Sequence, residues 1–108
     1  MGESDRASST PTAVSLLFTD IEHSSALWDR DPGAMRVALQ MHDQILRDVA
    51  ARHGGHVFFS GGDGFGIAFD SASAAVAAAC EGQLALAGSA WPDTTPLAVR
   101  MGVHTGLV

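Results

Sequence analysis

The stretch HVFFSGGDGFGIAF, residues 56–69, constrains the fold more than any other part of this sequence. Two apolar arms, rich in aromatic and β-branched residues, flank a turn in which glycines at positions 61, 62 and 64 surround a single aspartate, Asp63. Apolar arms on either side of a glycine-rich turn are typical of a β-hairpin. The chain is therefore expected to build a sheet around this hairpin.

The residues before the hairpin predict one strand and two helices. TAVSLLFTD, residues 12–20, predicts a strand that is buried on both faces. A short helix capped by Ser24 or Ser25 is expected next, and the pair Asp31-Pro32 is typical of the start of a second helix. This second helix is expected to end at residues 54–55, two glycines. Its buried face is predicted to comprise Ala34, Ala38, Met41, Ile45 and Val49.

The residues after the hairpin predict a third helix and a last strand. Asp70 or Ser71 is the expected N-cap of an alanine-rich helix. The predicted buried face of this helix comprises Val76, Cys80 and Leu84. The last strand is indicated by an alternating apolar set: Leu97, Val99, Met101 and Val103.

The order of elements is β, helices, β, β, α, β, which favours an α+β fold. With right-handed crossovers it gives the ferredoxin-like βαββαβ core, a four-stranded antiparallel sheet with helices on one face. The first strand then lies beside the third and runs antiparallel to it. Asp20, at the end of the first strand, is therefore predicted to lie close to Asp63 at the hairpin turn.

Two converging carboxylates repel each other and favour a cation between them. Magnesium suits a site with few carboxylates because water and substrate phosphate complete its coordination. The amides of His23, Ser24 and Ser25 open a helix, where an anion is favoured. These features together predict a site for a metal-bound polyphosphate. Taken singly, an aspartate in a turn or at a strand end more often serves as a turn former or a helix cap.

Composition excludes several classes of protein. The net charge is −6 and all six basic residues are arginine, which argues against a nucleic-acid surface and excludes a P-loop. No apolar run is long enough to span a bilayer. The single cysteine, Cys80, excludes a disulfide framework and fits a cytoplasmic location. Residues 1–11 are polar and predict a disordered leader, with one domain over residues 12–108.

Three ordered motifs, LLFTDIEHSSALW, HGGHVFFSGGDGFGIAF and VRMGVHTG, resemble the catalytic domain of the class III adenylate and guanylate cyclases. The resemblance implies a dimer with active sites at the subunit interface and two Mg²⁺ or Mn²⁺ ions. It implies that ATP, with GTP as the other possibility, is converted to the cyclic monophosphate and pyrophosphate. By position it assigns the metal ligands to Asp20, Asp63 and the carbonyl of Ile21. It assigns phosphate binding to Glu22, His23, Ser24, Ser25 and Gly62.

The sequence departs from the family pattern in two places. Phe59 stands where the family carries a purine-reading lysine, and a phenylalanine makes no hydrogen bond to a base. The family's second purine-reading residue, and the asparagine and arginine that stabilise the transition state, follow the HTG strand, whereas these 108 residues stop at Val108. The expectation is an adenylate cyclase-type domain that is inactive or very weak alone, and that works in a homodimer or with a complete cyclase domain.

Two alternatives remain open from the sequence. The chain could be a non-catalytic cyclase-homology module that serves dimerisation or regulation. The motif GGDGF also resembles the hairpin of the diguanylate cyclases, although Gly64 replaces the acidic residue that is usual at its fourth position.

Overall fold

The computed structural model describes residues 13–107, so the predicted leader and Thr12 lie outside the described residues. The described chain contains four strands and three helices. They are β1 (Ala13–Ile21), α1 (Ser24–Arg30), α2 (Pro32–Arg52), β2 (His56–Gly61), β3 (Gly64–Phe69), α3 (Ala72–Ala87) and β4 (Val99–Leu107).

The strands form one antiparallel sheet in the order β2-β3-β1-β4. The predicted α+β fold is confirmed, including the hairpin and the pairing of the first strand with the third. The ladder between β1 and β3 runs from Ser15 opposite Phe69 to Asp20 opposite Gly64. This register brings the end of β1 to the tip of the hairpin.

Strand β1 is buried on one face only, which corrects the prediction that both faces are buried. Ser15, Leu17, Thr19 and Ile21 are covered by the helices, whereas Phe18 is exposed. The opposite face of the sheet carries no helix among the described residues. Side chains of β1 therefore alternate between a packed core and an open surface.

Helix α2 begins as predicted: Asp31 is the N-cap, and its carboxylate accepts a hydrogen bond from the amide of Ala34 at 3.1 Å. The buried face differs from the predicted one. Ala38 and Val49 are buried, but Ala34, Met41 and Ile45 are only half-buried at its margin. The face also contains residues that the pattern missed: Met35, His42, Leu46 and Ala50.

Helix α3 is capped by Ser71, as one of the two predicted alternatives, but its predicted buried face is wrong. Val76, Cys80 and Leu84 are exposed. The helix instead packs through its smallest residues: Ala75, Ala78 and Gly82, with Leu86 at its end. A methyl group on Gly82 would lie 3.2 Å from the Met101 side chain, so a small residue allows this close contact.

Strand β4 lies at the edge of the sheet and starts at Val99, two residues later than predicted. Leu97 and Val99 are buried and Met101 is half-buried, but Val103 is exposed. The alternation of apolar residues therefore continues to Val103, but the helices bury only those in its first part. Within residues 13–107, no helix has the length and apolarity needed to cross a bilayer.

Candidate functional site

Asp20 lies near the end of β1, and Asp63 lies in the hairpin turn between β2 and β3, directly before the residue that pairs with Asp20. Asp20 pairs with Gly64, and the amide of Ile21 donates a hydrogen bond to the carbonyl of Asp63 at 3.1 Å. Gly62, in the hairpin turn, has φ of +56°, a conformation that glycine adopts without strain. The antiparallel register thus brings Asp20 and Asp63 together at one end of the sheet.

Ser24 contacts the Asp63 carboxylate, although the two residues are far apart in the sequence. Its hydroxyl donates a hydrogen bond of 2.7 Å to Oδ2 of Asp63. Ser24 is the first residue of α1, and its predicted capping role is wrong. The N-cap is His23, which has a left-handed conformation (φ of +56°) and caps no amide with its side chain.

Arg100 binds the other carboxylate. It lies directly opposite Asp20 in the β1–β4 ladder. Its Nε donates a 2.9 Å hydrogen bond to Oδ1 of Asp20, and one terminal nitrogen donates a 2.9 Å hydrogen bond to Oδ2. These bonds, followed by the charges of Asp20, Glu22 and Asp63, raise the pKa of Arg100 above its ordinary value. The guanidinium therefore experiences three nearby negative charges.

A shallow cavity of about 310 Å³ adjoins this ion pair on the open face of the sheet. It is lined by Phe18, Thr19, Asp20, Arg100, Met101 and Gly102. Phe18 is 46% exposed and packs edge-to-face against Phe58, with ring centroids 5.9 Å apart. The acidic site, which comprises Asp20 and Asp63, therefore borders an exposed aromatic surface.

Of the remaining predicted site residues, some lie beside Asp20 and Asp63 and others do not. The amide of Glu22 donates to the carbonyl of Ala98 at 2.8 Å and is not free for a phosphate, whereas His23 and Ser25 are exposed beside it. Phe59 is 53% exposed and pairs with Gly66 on β3, after a register shift in β2. One strand separates Phe59 from β1, so a single chain does not bring it next to Asp20.

The donor set fits a hard divalent cation. The candidate ligands are carboxylate oxygens of Asp20 and Asp63 and the backbone carbonyl of Ile21, and Mg²⁺ and Mn²⁺ favour oxygen donors. Within the described part of the chain, no three His, Cys, Asp or Glu side chains form a group that could hold a metal ion. Water and a phosphate ligand would therefore have to complete the coordination.

Two contributions to this site are not evident from the sequence. The sequence predicts no role for Arg100, and for Ser24 it predicts only helix capping and phosphate binding through the amide. The alternation in β4 places Arg100 on the same side of the sheet as Asp20, which is the signal that could have identified the pair. No sequence pattern indicated the hydrogen bond from Ser24 to Asp63, which links residues 39 positions apart.

Residues 7–108 match the family model for the adenylate and guanylate cyclase catalytic domain. The chain belongs to this cyclase domain family. Its members generally use divalent metal ions, which agrees with the oxygen donors described above.

Curated proteins similar to this chain include adenylate cyclases. The chain is 33% identical to an adenylate cyclase of Lachancea kluyveri, covering 86% of this chain and 6% of that protein. It is 44% identical to a receptor-type adenylate cyclase of Trypanosoma congolense, covering 72% of this chain and 10% of that protein. The cyclase domain thus spans a small part of the curated relatives that it matches.

Solved structures agree with the fold. The structure of an adenylate cyclase of Trypanosoma brucei in its monomeric state superposes with a TM-score of 0.82 at 30% identity. The superposition covers 87% of this chain and 56% of that chain. The described sheet and helices therefore correspond to about half of that solved structure.

Proposed function

We propose that this chain supplies the metal-binding and phosphate-binding half of an adenylate cyclase site. The observation that carries the proposal is the register of the sheet, which pairs Asp20 with Gly64 and bonds Ile21 to Asp63. The similarity to adenylate cyclases supports ATP as the substrate and cyclic AMP and pyrophosphate as the products.

The residues of this chain would act by holding and orienting. Asp20, Asp63 and the Ile21 carbonyl would hold two divalent cations, which supply Lewis acidity at the ribose 3′ hydroxyl and the triphosphate. The exposed turn at His23 and Ser25 would hold phosphate oxygens through its amides. Arg100 would have to release Asp20 when a cation binds, which leaves a guanidinium free beside the anionic substrate.

The rest of the site would come from a partner. The open face of the sheet exposes Phe18 beside Asp20, with Phe58 packed against it, and exposed aromatic groups of this kind favour association. We propose that this face pairs with a second copy or with a complete cyclase domain. The partner would complete the site with base-reading and transition-state groups.

The test combines this chain with an intact cyclase domain whose own metal-binding aspartates are replaced by alanine. With ATP and Mn²⁺, the mixture is expected to produce cyclic AMP, and Asp20→Ala in this chain should abolish it. Asp93→Ala is the matched control, because Asp93 is an exposed aspartate in the loop before β4. Production of cyclic AMP that survives Asp20→Ala would refute the proposed role.

A second candidate function is a non-catalytic dimerisation or regulatory module. Phe59 favours it, because the base-reading position then carries a side chain without hydrogen-bonding groups. Formation of a mixed dimer with no product from ATP or GTP would support this function. The family match is to adenylate and guanylate cyclases, so a diguanylate cyclase is not supported; cyclic di-GMP made from GTP would reinstate it.

A further inference from the structure

The Asp63 carboxylate lies in a turn that offers it little support. Gly62 and Gly64 on either side have no side chains, and Asp63 itself is only half-buried. A carboxylate on such a turn has free rotamers unless another group fixes it. A metal ligand that must be ordered on binding binds more weakly than one that is already in place.

Ser24 provides the hydrogen bond that fixes this carboxylate. Among the described residues, the structure records one side-chain hydrogen bond to Asp63, the 2.7 Å bond from the Ser24 hydroxyl. The carbonyl of the same residue is bonded by the Ile21 amide at 3.1 Å. The β1–α1 turn therefore holds both the backbone and the side chain of Asp63.

The direction of this bond leaves Asp63 able to bind a cation. Ser24 donates to Oδ2, so Oδ1 and the remaining lone pair of Oδ2 stay available. A neutral hydroxyl also adds no positive charge at the carboxylate, unlike the arginine that forms an ion pair with Asp20. The contact thus orients the ligand without neutralising it.

Local geometry indicates that Ser24 is not used for capping. A serine at the N-cap ordinarily bonds a free amide of the first turn, but Ser24 is the first helical residue and follows the N-cap. Here the chain reaches α1 through His23 in a left-handed conformation, with no side-chain cap, and the serine hydroxyl points to the hairpin instead. The Ser24 hydroxyl is therefore not engaged by its own helix and bonds Asp63.

We propose that Ser24 is a positioning residue, whose side-chain hydroxyl orients the Asp63 carboxylate for the catalytic cation. This inference rests on the proposed function, because it assumes that Asp63 is a metal ligand. It is separate from phosphate binding by the Ser24 amide, because alanine at position 24 keeps the amide and removes only the hydroxyl. Groups that orient a metal ligand typically change metal affinity about 10- to 100-fold when removed.

The test measures Mn²⁺ binding by the chain alone, using the electron paramagnetic resonance signal of free Mn²⁺. Ser24→Ala is expected to weaken binding about tenfold, while Ser24→Thr, which keeps a hydroxyl, retains most of the affinity. Ser73→Ala is the matched control, because it removes an exposed serine hydroxyl from the first turn of α3. Melting temperatures of all variants report whether the fold is retained.

The outcomes separate this inference from the proposed function. The metal site itself would be refuted if the wild-type chain bound no Mn²⁺. It would also be refuted if the wild type and the Asp63→Asn variant bound Mn²⁺ with equal affinity. Wild-type binding that is lost in Asp63→Asn but unchanged in Ser24→Ala would leave the metal site intact and overturn the role of Ser24. A loss in Ser24→Ala that is matched by an equal loss in Ser24→Thr would also overturn it.

Discussion

Replacement of Gly64 by alanine tests how closely the hairpin must approach β1. Gly64 is the first residue of β3 and pairs with Asp20. A Cβ atom at this position would lie 2.9 Å from the carbonyl oxygen of Thr19, a distance that real Cβ atoms essentially never show. Because this oxygen belongs to the backbone of the neighbouring strand, no side-chain rotation can relieve the contact.

The size of the effect follows from that distance. Ordinary Cβ contacts begin at 3.4 Å, so the end of the ladder would have to open by about 0.5 Å. The nearby bond from the Ile21 amide to the Asp63 carbonyl, now 3.1 Å, would be stretched beyond hydrogen-bonding distance. Overpacking of this kind costs about 2 kcal/mol, which lowers the melting temperature of a domain of this size by about 10 °C.

Thermal unfolding followed by circular dichroism measures this change, and Gly102→Ala is the matched control. Gly102 lies opposite Phe18 in β4, on the same open side of the sheet, and an added Cβ would have no heavy atom within 4 Å. The control is expected to melt within a few degrees of the wild type. Equal melting temperatures for Gly64→Ala and Gly102→Ala would refute the argument that the site depends on this close approach.

Two further predictions concern the charged groups. Arg100→Gln is expected to raise the Mn²⁺ affinity of the isolated chain several-fold, because a cation no longer has to displace the bidentate pair on Asp20; weaker binding in this variant would contradict the competition. At the start of α2, bonds from the Ala34 amide and then the Thr94 hydroxyl hold the pKa of Asp31 below its ordinary value of 3.8. The folded state thus favours the ionised form, so the stability that Asp31 contributes is present above pH 3.8 and is lost as pH falls through the lowered pKa. The free energies of unfolding of the wild type and of Asp31→Ala, measured as a function of pH, should converge at low pH. A difference between them that stays constant with pH would contradict this assignment.

The topology was predictable from the sequence because few arrangements satisfy the order of elements. A glycine-rich hairpin between two helical segments, with a strand at each end, leaves little choice once crossovers are right-handed. The adjacency of Asp20 and Asp63 follows from that topology alone. Neither residue had to be recognised by its chemistry, since an antiparallel pair brings a strand end to the neighbouring turn.

The buried faces of the helices were harder to predict. The pattern in α3 favoured the largest apolar side chains, Val76 and Leu84, yet close packing on the sheet selects alanine and glycine. When nearly every face of a helix is apolar, the sequence shows no difference between a polar and an apolar face, so the buried face cannot be identified from it. In α2 the buried face includes His42, which is fully buried and packs edge-to-face against Phe65, and an apolar template cannot include a histidine.

The two carboxylates of the site have partners of different chemistry, and this difference makes their roles separable. Arg100 neutralises Asp20 and occupies both of its oxygens, so a cation must exchange with the guanidinium there. Ser24 orients Asp63 without removing its charge, so a cation can bind that carboxylate directly. Removing Arg100 should therefore strengthen Mn²⁺ binding, whereas removing the Ser24 hydroxyl should weaken it. If both contacts served only to stabilise the turn, their loss would change the affinity in the same direction, because each would loosen the same pair of ligands.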